Sequence, residues 1–210
     1  MIIDKNFVYV HIPKTGGTWM RQALRLLPSF DHEYAGHRIS IPIQDLHKPV
    51  FTIVRNPWDL YISSYTHFHY NFTKKIHEFG PRNKLTESKK FMIERFGGSF
   101  ADMLQHIDFY KDYMSRNYES LHDKYNVLKY ENGLASELIK FLDEHQVALS
   151  QPIRTRIEQL QNSRFNSHQQ HRKGSYYTKE LEKLVAHNDF SVIDLWGYSC
   201  PPELKAPPSD

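Results

Sequence analysis

Three apolar runs, each followed by turn residues and then by a helical pattern, limit most strongly what this chain can fold into. The run from Phe7 to Ile12 is aromatic and β-branched and ends at Pro13 and two glycines, which predicts a buried strand and a tight turn. The runs Val50 to Val54 and Asn126 to Tyr130 also lead into helical spacing. Three such units in series predict a single α/β domain of the P-loop type, with a parallel β-sheet flanked by helices.

The helices are predicted from apolar residues at a spacing of three and four positions and from the prolines beside them. Residues 71 to 98 are rich in lysine and poor in periodicity, so we expect a surface excursion that leads into a helix near Glu87 to Phe96. Residues 162 to 175 are polar and rich in histidine, which indicates a loop. The other predicted helices run from Trp19 to Leu27, from Pro57 through Phe68, from Leu134 to Leu142, from Pro152 to Gln161 and from Thr178 to His187.

Composition narrows the class of protein. With 210 residues and 40% hydrophobic content, the chain is long enough for one core, and we expect a domain over 1–199 and a flexible tail over 200–210. The 27 basic and 24 acidic residues give a net charge of +3 without a basic tail, so nucleic acid is not an expected partner. A single cysteine, Cys200, and the lack of a long apolar window predict a cytoplasmic protein without a membrane span.

The stretch HIPKTGGTWM follows the first predicted strand and has the residues of a phosphate-binding loop. Two glycines allow a close backbone approach, two threonines offer hydroxyls and Lys14 offers a positive charge, while the N-terminus of the next helix favours an anion. In the ATP-binding form of this loop the lysine follows the glycines, whereas Lys14 precedes them. The second strand ends in Val54 and Arg55, with no acid to hold magnesium. The loop is therefore predicted to hold a phosphate without a metal.

A second anion site is predicted beside the first. The stretch FTIVRNPWDLYISSY places Arg55 at the carboxyl end of the second strand and Ser63 two turns into the next helix. Ligands of open α/β sheets bind at the carboxyl ends of the strands, and the planar guanidinium of arginine suits a phosphate.

These two stretches together resemble the two nucleotide-binding motifs of sulfotransferases that use 3′-phosphoadenosine 5′-phosphosulfate. The sequences HIPKTGGTW and VRNPWDLYISSY most resemble the motifs of the carbohydrate sulfotransferases, such as heparan sulfate 2-O-sulfotransferase. The stretch YNVLKYENGLASELIKFLDEH is similar to the third strand and helix of that family, and HRKGSYY is similar to its late loop.

The resemblance implies which residues bind the two ends of the donor. Trp19 matches an aromatic residue that packs near the adenine, although a core position in the first helix is an equal alternative. For the 5′-phosphosulfate the resemblance implies Lys14, Thr15, Gly16, Gly17 and Thr18, and for the 3′-phosphate it implies Arg55, Ser63, Arg172, Lys173 and Gly174.

The resemblance also implies two catalytic residues. Lys14 is placed to neutralise the leaving phosphate, and His37, in EYAGHRIS, resembles the second histidine of the family's Tyr-His-Gly-His segment, which supplies the base. Ala35 stands where that family has its first histidine, so one imidazole serves alone or together with another group. His67, His69 and Glu33 are the alternative bases.

The leading interpretation is an enzyme that transfers a sulfuryl group to a hydroxyl of a carbohydrate or a small molecule. Two alternatives stay open: a kinase that binds ATP in the same loop, and a non-catalytic nucleotide-binding module. The basic residues of the excursion would either grip an anionic oligosaccharide or keep the surface soluble; they are Lys74, Lys75, Arg82, Lys84, Lys89 and Lys90.

Overall fold

A computed structural model describes residues 1–28, 30, 32–34, 41–67, 99–105, 125–161 and 176–205. The chain divides into two compact units. The first unit comprises Met1–Arg55 and Arg116–Ser167, and the second comprises Asn56–Ser115 and His168–Asp210.

A five-stranded sheet in the order β3-β1-β2-β4-β5 forms the centre of the first unit. Strands β2, β4 and β5 pair in parallel, with Tyr9 opposite Phe51 and Val54 opposite Lys129. The predicted α/β class with a parallel sheet is thereby confirmed. The strands are β1 Ile2–Asp4, β2 Val8–Val10, β3 His32–Tyr34, β4 Val50–Val54 and β5 Asn126–Lys129.

The sequence did not predict β1 and β3, which pair antiparallel at one side of the sheet. Each has three residues, and β3 reads HEY, without the apolar run or alternation that identifies a strand. Both depend on backbone pairing with a neighbour, because so short a segment carries little strand signal of its own.

The side chains of the parallel strands alternate between two faces of the sheet. Phe7, Tyr9 and Phe51 join one core cluster, whereas Val8 and Val10 join the other. The first cluster also contains buried residues of three helices of the first unit, which cover that face. This alternation follows from the two-residue period of a strand.

Five predicted helices agree with observed ones within a few residues, whereas the helices Phe100–Gln105 and Phe190–Trp196 were not predicted. The helix that follows β4 is described from 57 to 67, and the predicted helix near Glu87 to Phe96 lies outside the described residues. In the part of the chain that the structure describes, no helix is long and apolar enough to cross a membrane. The helices are α1 Gly17–Leu24, α2 57–67, α3 Phe100–Gln105, α4 Leu134–Glu144, α5 Gln151–Leu160, α6 Lys179–Asn188 and α7 Phe190–Trp196.

The second unit is built around buried aromatic residues. Phe100 of α3 packs edge-on against Tyr65, Tyr176 and Tyr177, with ring centroids 5.5, 5.3 and 5.1 Å away. The Tyr61 hydroxyl donates to Oδ2 of Asp189 at 2.6 Å in the same unit. A ring contact thus joins α2 to α3, and a buried hydrogen bond joins α2 to Asp189, which lies between α6 and α7.

The start of the predicted tail packs in the second unit. Cys200 is 5% exposed and Leu204 is 8% exposed, and the Leu204 carbonyl accepts from the backbone N–H groups of Tyr176 and Tyr177. The expectation that the whole tail stays unpacked is wrong for residues 200 to 205, because the apolar side chains among its prolines are buried. Residues 206 to 210 lie outside the described residues.

Candidate functional site

The loop between β2 and α1 has an unusual backbone. Lys14 has φ 67° and Gly16 has φ 94°, both in the left-handed region. For an L-residue other than glycine this conformation costs about 1 to 2 kcal/mol, so the surroundings must hold Lys14 in place. Strain of this kind concentrates at functional sites.

Neither glycine of the loop has room for a Cβ atom. A Cβ on Gly16 would stand 2.6 Å from Cδ1 of Leu134 and 3.3 Å from the Tyr130 ring. A Cβ on Gly17 would stand 1.8 Å from Nε2 of His11. The predicted close approach therefore occurs, but the described neighbours are side chains of the first unit. His11 and Leu134 are the contacts that the sequence did not reveal.

The N-terminus of α1 lies at the end of this loop. Gly16 is its N-cap residue, and among the described residues no side chain caps this end and no acidic residue lies in the first turn. The backbone N–H groups of a first helical turn have no partner within the helix and favour an anion. This end of α1 suits a phosphate group.

The two threonines of the loop differ in burial. The Thr15 side chain is fully buried and its hydroxyl donates to the Ile12 carbonyl at 2.7 Å. That proton is committed to the loop itself, so Thr15 would meet a phosphate through its backbone N–H. Thr18 is half-buried on α1.

Arg55 connects the end of β4 to the first loop. Its Nη1 donates to the Lys14 carbonyl at 2.9 Å, and the residue is only 3% exposed. The structure therefore brings two residues of the two predicted motifs together, at the carboxyl edge of the parallel strands. The partner of this guanidinium is the backbone of the very residue that has the left-handed conformation.

Tyr130 is a site residue that the motifs did not predict. The centroid of its ring lies 4.3 Å from Cζ of Arg55, and the ring also faces Gly16. Tyr130 follows β5 directly as Arg55 follows β4, and the last residues of these strands, Lys129 and Val54, are paired. The signal that could have found it was this equal position in two neighbouring parallel strands.

Trp19 has the environment of a core residue. It is 7% exposed, belongs to the main cluster of the first unit, and donates its indole N–H to the Leu160 carbonyl at 2.9 Å. Of the two alternatives for Trp19, this geometry favours the core position over packing against an adenine.

The other predicted residues, apart from Glu33 in the first unit, lie in the second unit or outside the described residues. Ser63 is 9% exposed on α2, and His67 is half-buried near the described end of that helix. Glu33 lies on β3, where its backbone pairs with Ile3. The predicted base His37, the alternative His69 and the late-loop residues Arg172, Lys173 and Gly174 all lie outside the described residues.

The residues Asn56 to Trp58, between Arg55 and Ser63 in the second motif, make structural contacts in the second unit. Nδ2 of Asn56 donates to the Ser199 carbonyl at 2.8 Å, and its Oδ1 accepts from the Trp58 backbone N–H at 3.1 Å. The Trp58 carbonyl accepts from the Tyr177 hydroxyl at 2.8 Å. Burial raises the pKa of that hydroxyl far above its ordinary value, so it remains a donor.

Two further features of the described residues bear on chemistry. No three histidine, cysteine, aspartate or glutamate side chains come together there as a metal site. An open groove of about 780 Å³ lies between α4 and α5 and contains none of the predicted site residues. Its lining is Asn132, Gly133, Ala135, Ser136, Ile139, Lys140, Asp143, Glu144, Glu158 and Gln161.

Among known proteins, similarity is found to a solved structure. No protein-family model matches the chain, and no curated protein matches it. The chain is similar to a mouse sulfotransferase, SULT7A1, whose crystal structure is a complex with PAP. The two are 17% identical, the TM-score is 0.41, and the match covers 76% of this chain and 64% of that chain. It therefore spans less than two thirds of the mouse sulfotransferase.

Proposed function

We propose that this protein is a sulfotransferase that moves a sulfuryl group from 3′-phosphoadenosine 5′-phosphosulfate to an acceptor hydroxyl. The observation that carries the proposal is the first loop. Its backbone is strained at Lys14, its two glycines are fixed by their neighbours, and it leads into a helix N-terminus without a side-chain cap. A loop of this geometry, in the HIPKTGGTW motif and bonded to the arginine of VRNPW, fits the 5′ end of the donor.

The proposed chemistry is an in-line displacement at sulfur. The acceptor oxygen forms a bond to sulfur while the bond from sulfur to the bridging oxygen of the 5′-phosphate breaks, and adenosine 3′,5′-bisphosphate leaves. Negative charge builds on that oxygen, where Lys14 and the backbone N–H groups of the loop would stabilise it. No metal ion is required, because the protein supplies these positive groups.

A base must take the proton of the acceptor hydroxyl. In this proposal the base is His37, with Glu33, His67 and His69 as the alternatives. An imidazole suits the task because its ordinary pKa lies near neutral pH. His37→Ala is expected to abolish transfer and to leave the affinity for adenosine 3′,5′-bisphosphate unchanged; near-normal turnover would remove His37 from this role.

The 3′ end of the donor is assigned to Ser63, Arg172, Lys173 and Gly174 together with Arg55, as the resemblance implies. Ser63 lies on the helix that follows Arg55 in the chain. The acceptor is proposed to be a small molecule or an oligosaccharide, and the protein is proposed to act in the cytoplasm.

Ligand-dependent stabilisation tests this function against its alternatives. A ligand raises the melting temperature of a protein only if it binds the folded state. Adenosine 3′,5′-bisphosphate in EDTA should therefore raise the melting temperature, and Mg-ATP, tested without EDTA, should not. Stabilisation by Mg-ATP alone would favour a kinase. Transfer of radioactive sulfate from the labelled donor to a panel of glycans, phenols and lipids then separates an enzyme from a module that only binds.

A further inference from the structure

We propose that Arg55 is a positioning residue for the 5′ end of the donor, and that Tyr130 holds it in place. In this account Arg55 keeps Lys14 in its left-handed conformation, beside the contact with the 3′-phosphate that the resemblance implies. The inference rests on the proposed function and adds a second role for this arginine.

The first support is the pairing of a strained residue with a strong donor. Lys14 is a non-glycine residue with φ 67°, and such a conformation persists only where other contacts hold it. One such contact is the hydrogen bond of 2.9 Å from Nη1 of Arg55 to the Lys14 carbonyl. Hydrogen bonds from a charged donor are stronger than neutral ones, so Arg55 suits this purpose.

The second support is the fixed position of the guanidinium. Arg55 is 3% exposed, and its Cζ lies 4.3 Å from the centre of the Tyr130 ring. The flat face of a guanidinium suits contact with a ring, which leaves the N–H groups to bond in the plane. Lysine has no such face, so it cannot keep both contacts with one geometry.

The held carbonyl determines the direction of the next N–H group. In a trans peptide the carbonyl of Lys14 and the N–H of Thr15 point in opposite directions. When Arg55 holds the carbonyl, the Thr15 N–H is directed away from the guanidinium. The backbone donors of the loop are then fixed before the ligand arrives, which lowers the cost of binding.

Three nucleotides separate the two roles of Arg55. Adenosine 5′-monophosphate has only the 5′-phosphate, adenosine 3′-monophosphate has only the 3′-phosphate, and adenosine 3′,5′-bisphosphate has both. Their affinities are measured by isothermal titration calorimetry in EDTA for the wild type, Arg55→Lys, Tyr130→Leu and Tyr130→Phe. Circular dichroism at the same temperature checks that each variant is folded.

If Arg55 positions Lys14, Arg55→Lys weakens the binding of the 5′-monophosphate by about tenfold, although this ligand has no 3′-phosphate, and that of the bisphosphate by at least as much. Tyr130→Leu shows the same pattern at a smaller size. Tyr130→Phe retains the ring and restores the affinity to within about threefold of the wild type. Because Tyr130→Leu leaves Arg55 unchanged, it keeps the test usable if Arg55→Lys does not fold.

The opposite pattern would overturn the inference. A loss confined to the two ligands with a 3′-phosphate would leave Arg55 the 3′ role alone and leave the proposed function standing. A wild-type protein that binds none of the three nucleotides would overturn both the proposed function and this inference.

Discussion

The two motif stretches of this chain are built in opposite ways. In the first loop the backbone is strained at Lys14, and Gly16 and Gly17 are kept bare by side chains that approach within 3 Å of where a Cβ would be. In the second stretch, Asn56 and Trp58 are buried and their polar groups bond to neighbours in the second unit.

The first stretch has the features of a ligand-binding segment, whereas the second has the features of a segment that stabilises the fold. A strained backbone is retained where a ligand needs it, whereas a buried asparagine with satisfied hydrogen bonds contributes mainly to stability. We therefore expect a change at Lys14 to affect mainly nucleotide affinity, and changes at Asn56 and Trp58 to affect mainly the free energy of unfolding.

The largest loss of stability is expected for Gly16→Ala. The new Cβ suffers both the left-handed φ and the contact of 2.6 Å with buried Leu134, and together these should lower the free energy of unfolding by roughly 3 to 4 kcal/mol. Gly197→Ala is the control, because Gly197 also has a positive φ but nothing lies within 4 Å of its Cβ position. Chemical denaturation measures both, and equal losses would mean that crowding at Gly16 costs nothing.

Trp19→Leu tests whether a residue of the first motif can belong to the core. It removes the indole ring and its bond to the Leu160 carbonyl, so the free energy of unfolding should fall by about 2 to 3 kcal/mol. The affinity for adenosine 3′,5′-bisphosphate, measured at a temperature where the variant is folded, should change by less than about threefold. A tenfold loss of affinity would instead place Trp19 against the adenine.

Asn56→Ala tests the holding role of the second stretch. The variant leaves the Ser199 carbonyl and the Trp58 N–H without their partner, and should lower the free energy of unfolding by about 2 kcal/mol. Asn126→Ala, which removes one bond to the Val50 carbonyl, is the control and should lose about half as much. Unchanged stability together with a large loss of nucleotide affinity would remove the contrast between the two stretches.

The smallest effect is expected without any substitution, on the rate at which the Cys200 thiol is alkylated. Cys200 is buried, and burial raises the pKa of its thiol to about 11, with Glu182 adding to the shift. Since the thiolate is the reactive form, at pH 8 only about a thousandth of the thiol is available to iodoacetamide. Alkylation of the folded protein should be at least ~100-fold slower than in urea and should accelerate as the pH rises toward 11. Equal rates at pH 8 would show that the start of the tail is not packed.

Much of this architecture could be predicted from the sequence. The parts that were missed were missed for physical reasons. Strand β4 was predicted to the residue because Val50 to Val54 is buried throughout, and such a run has few other uses. Strands β1 and β3 were missed because they are short and depend on pairing. Residues 200 to 205 were misjudged because proline content hides the burial of Leu204.

The candidate site divides in the same way. The glycines, Lys14 and Arg55 were predicted, because backbone freedom and positive charge are visible in the residue types. Tyr130 was not predicted, since aromatic rings have many uses and only the register of β4 and β5 brings it to the loop. His11 stands in the first motif itself, but its residue type does not show that it lies against Gly17. The bond from Arg55 to the Lys14 carbonyl has no sequence signature at all.

One measurement tests most directly the claim that the first loop binds a phosphate through Lys14. Lys14 and Gln146 are non-glycine residues with a positive φ, of 67° and 56°. The variants Lys14→Gly and Gln146→Gly each replace one of them with glycine. Neither variant should change the free energy of unfolding by more than about 1 kcal/mol, because relief of strain offsets the entropy of glycine.

The two variants are then compared for their affinity for adenosine 3′,5′-bisphosphate in EDTA, by isothermal titration calorimetry. Loss of the Lys14 charge should weaken binding by about 10- to 100-fold, and Gln146→Gly should bind as the wild type does. Wild-type affinity in Lys14→Gly, or binding by the wild type only when magnesium is added, would contradict the account.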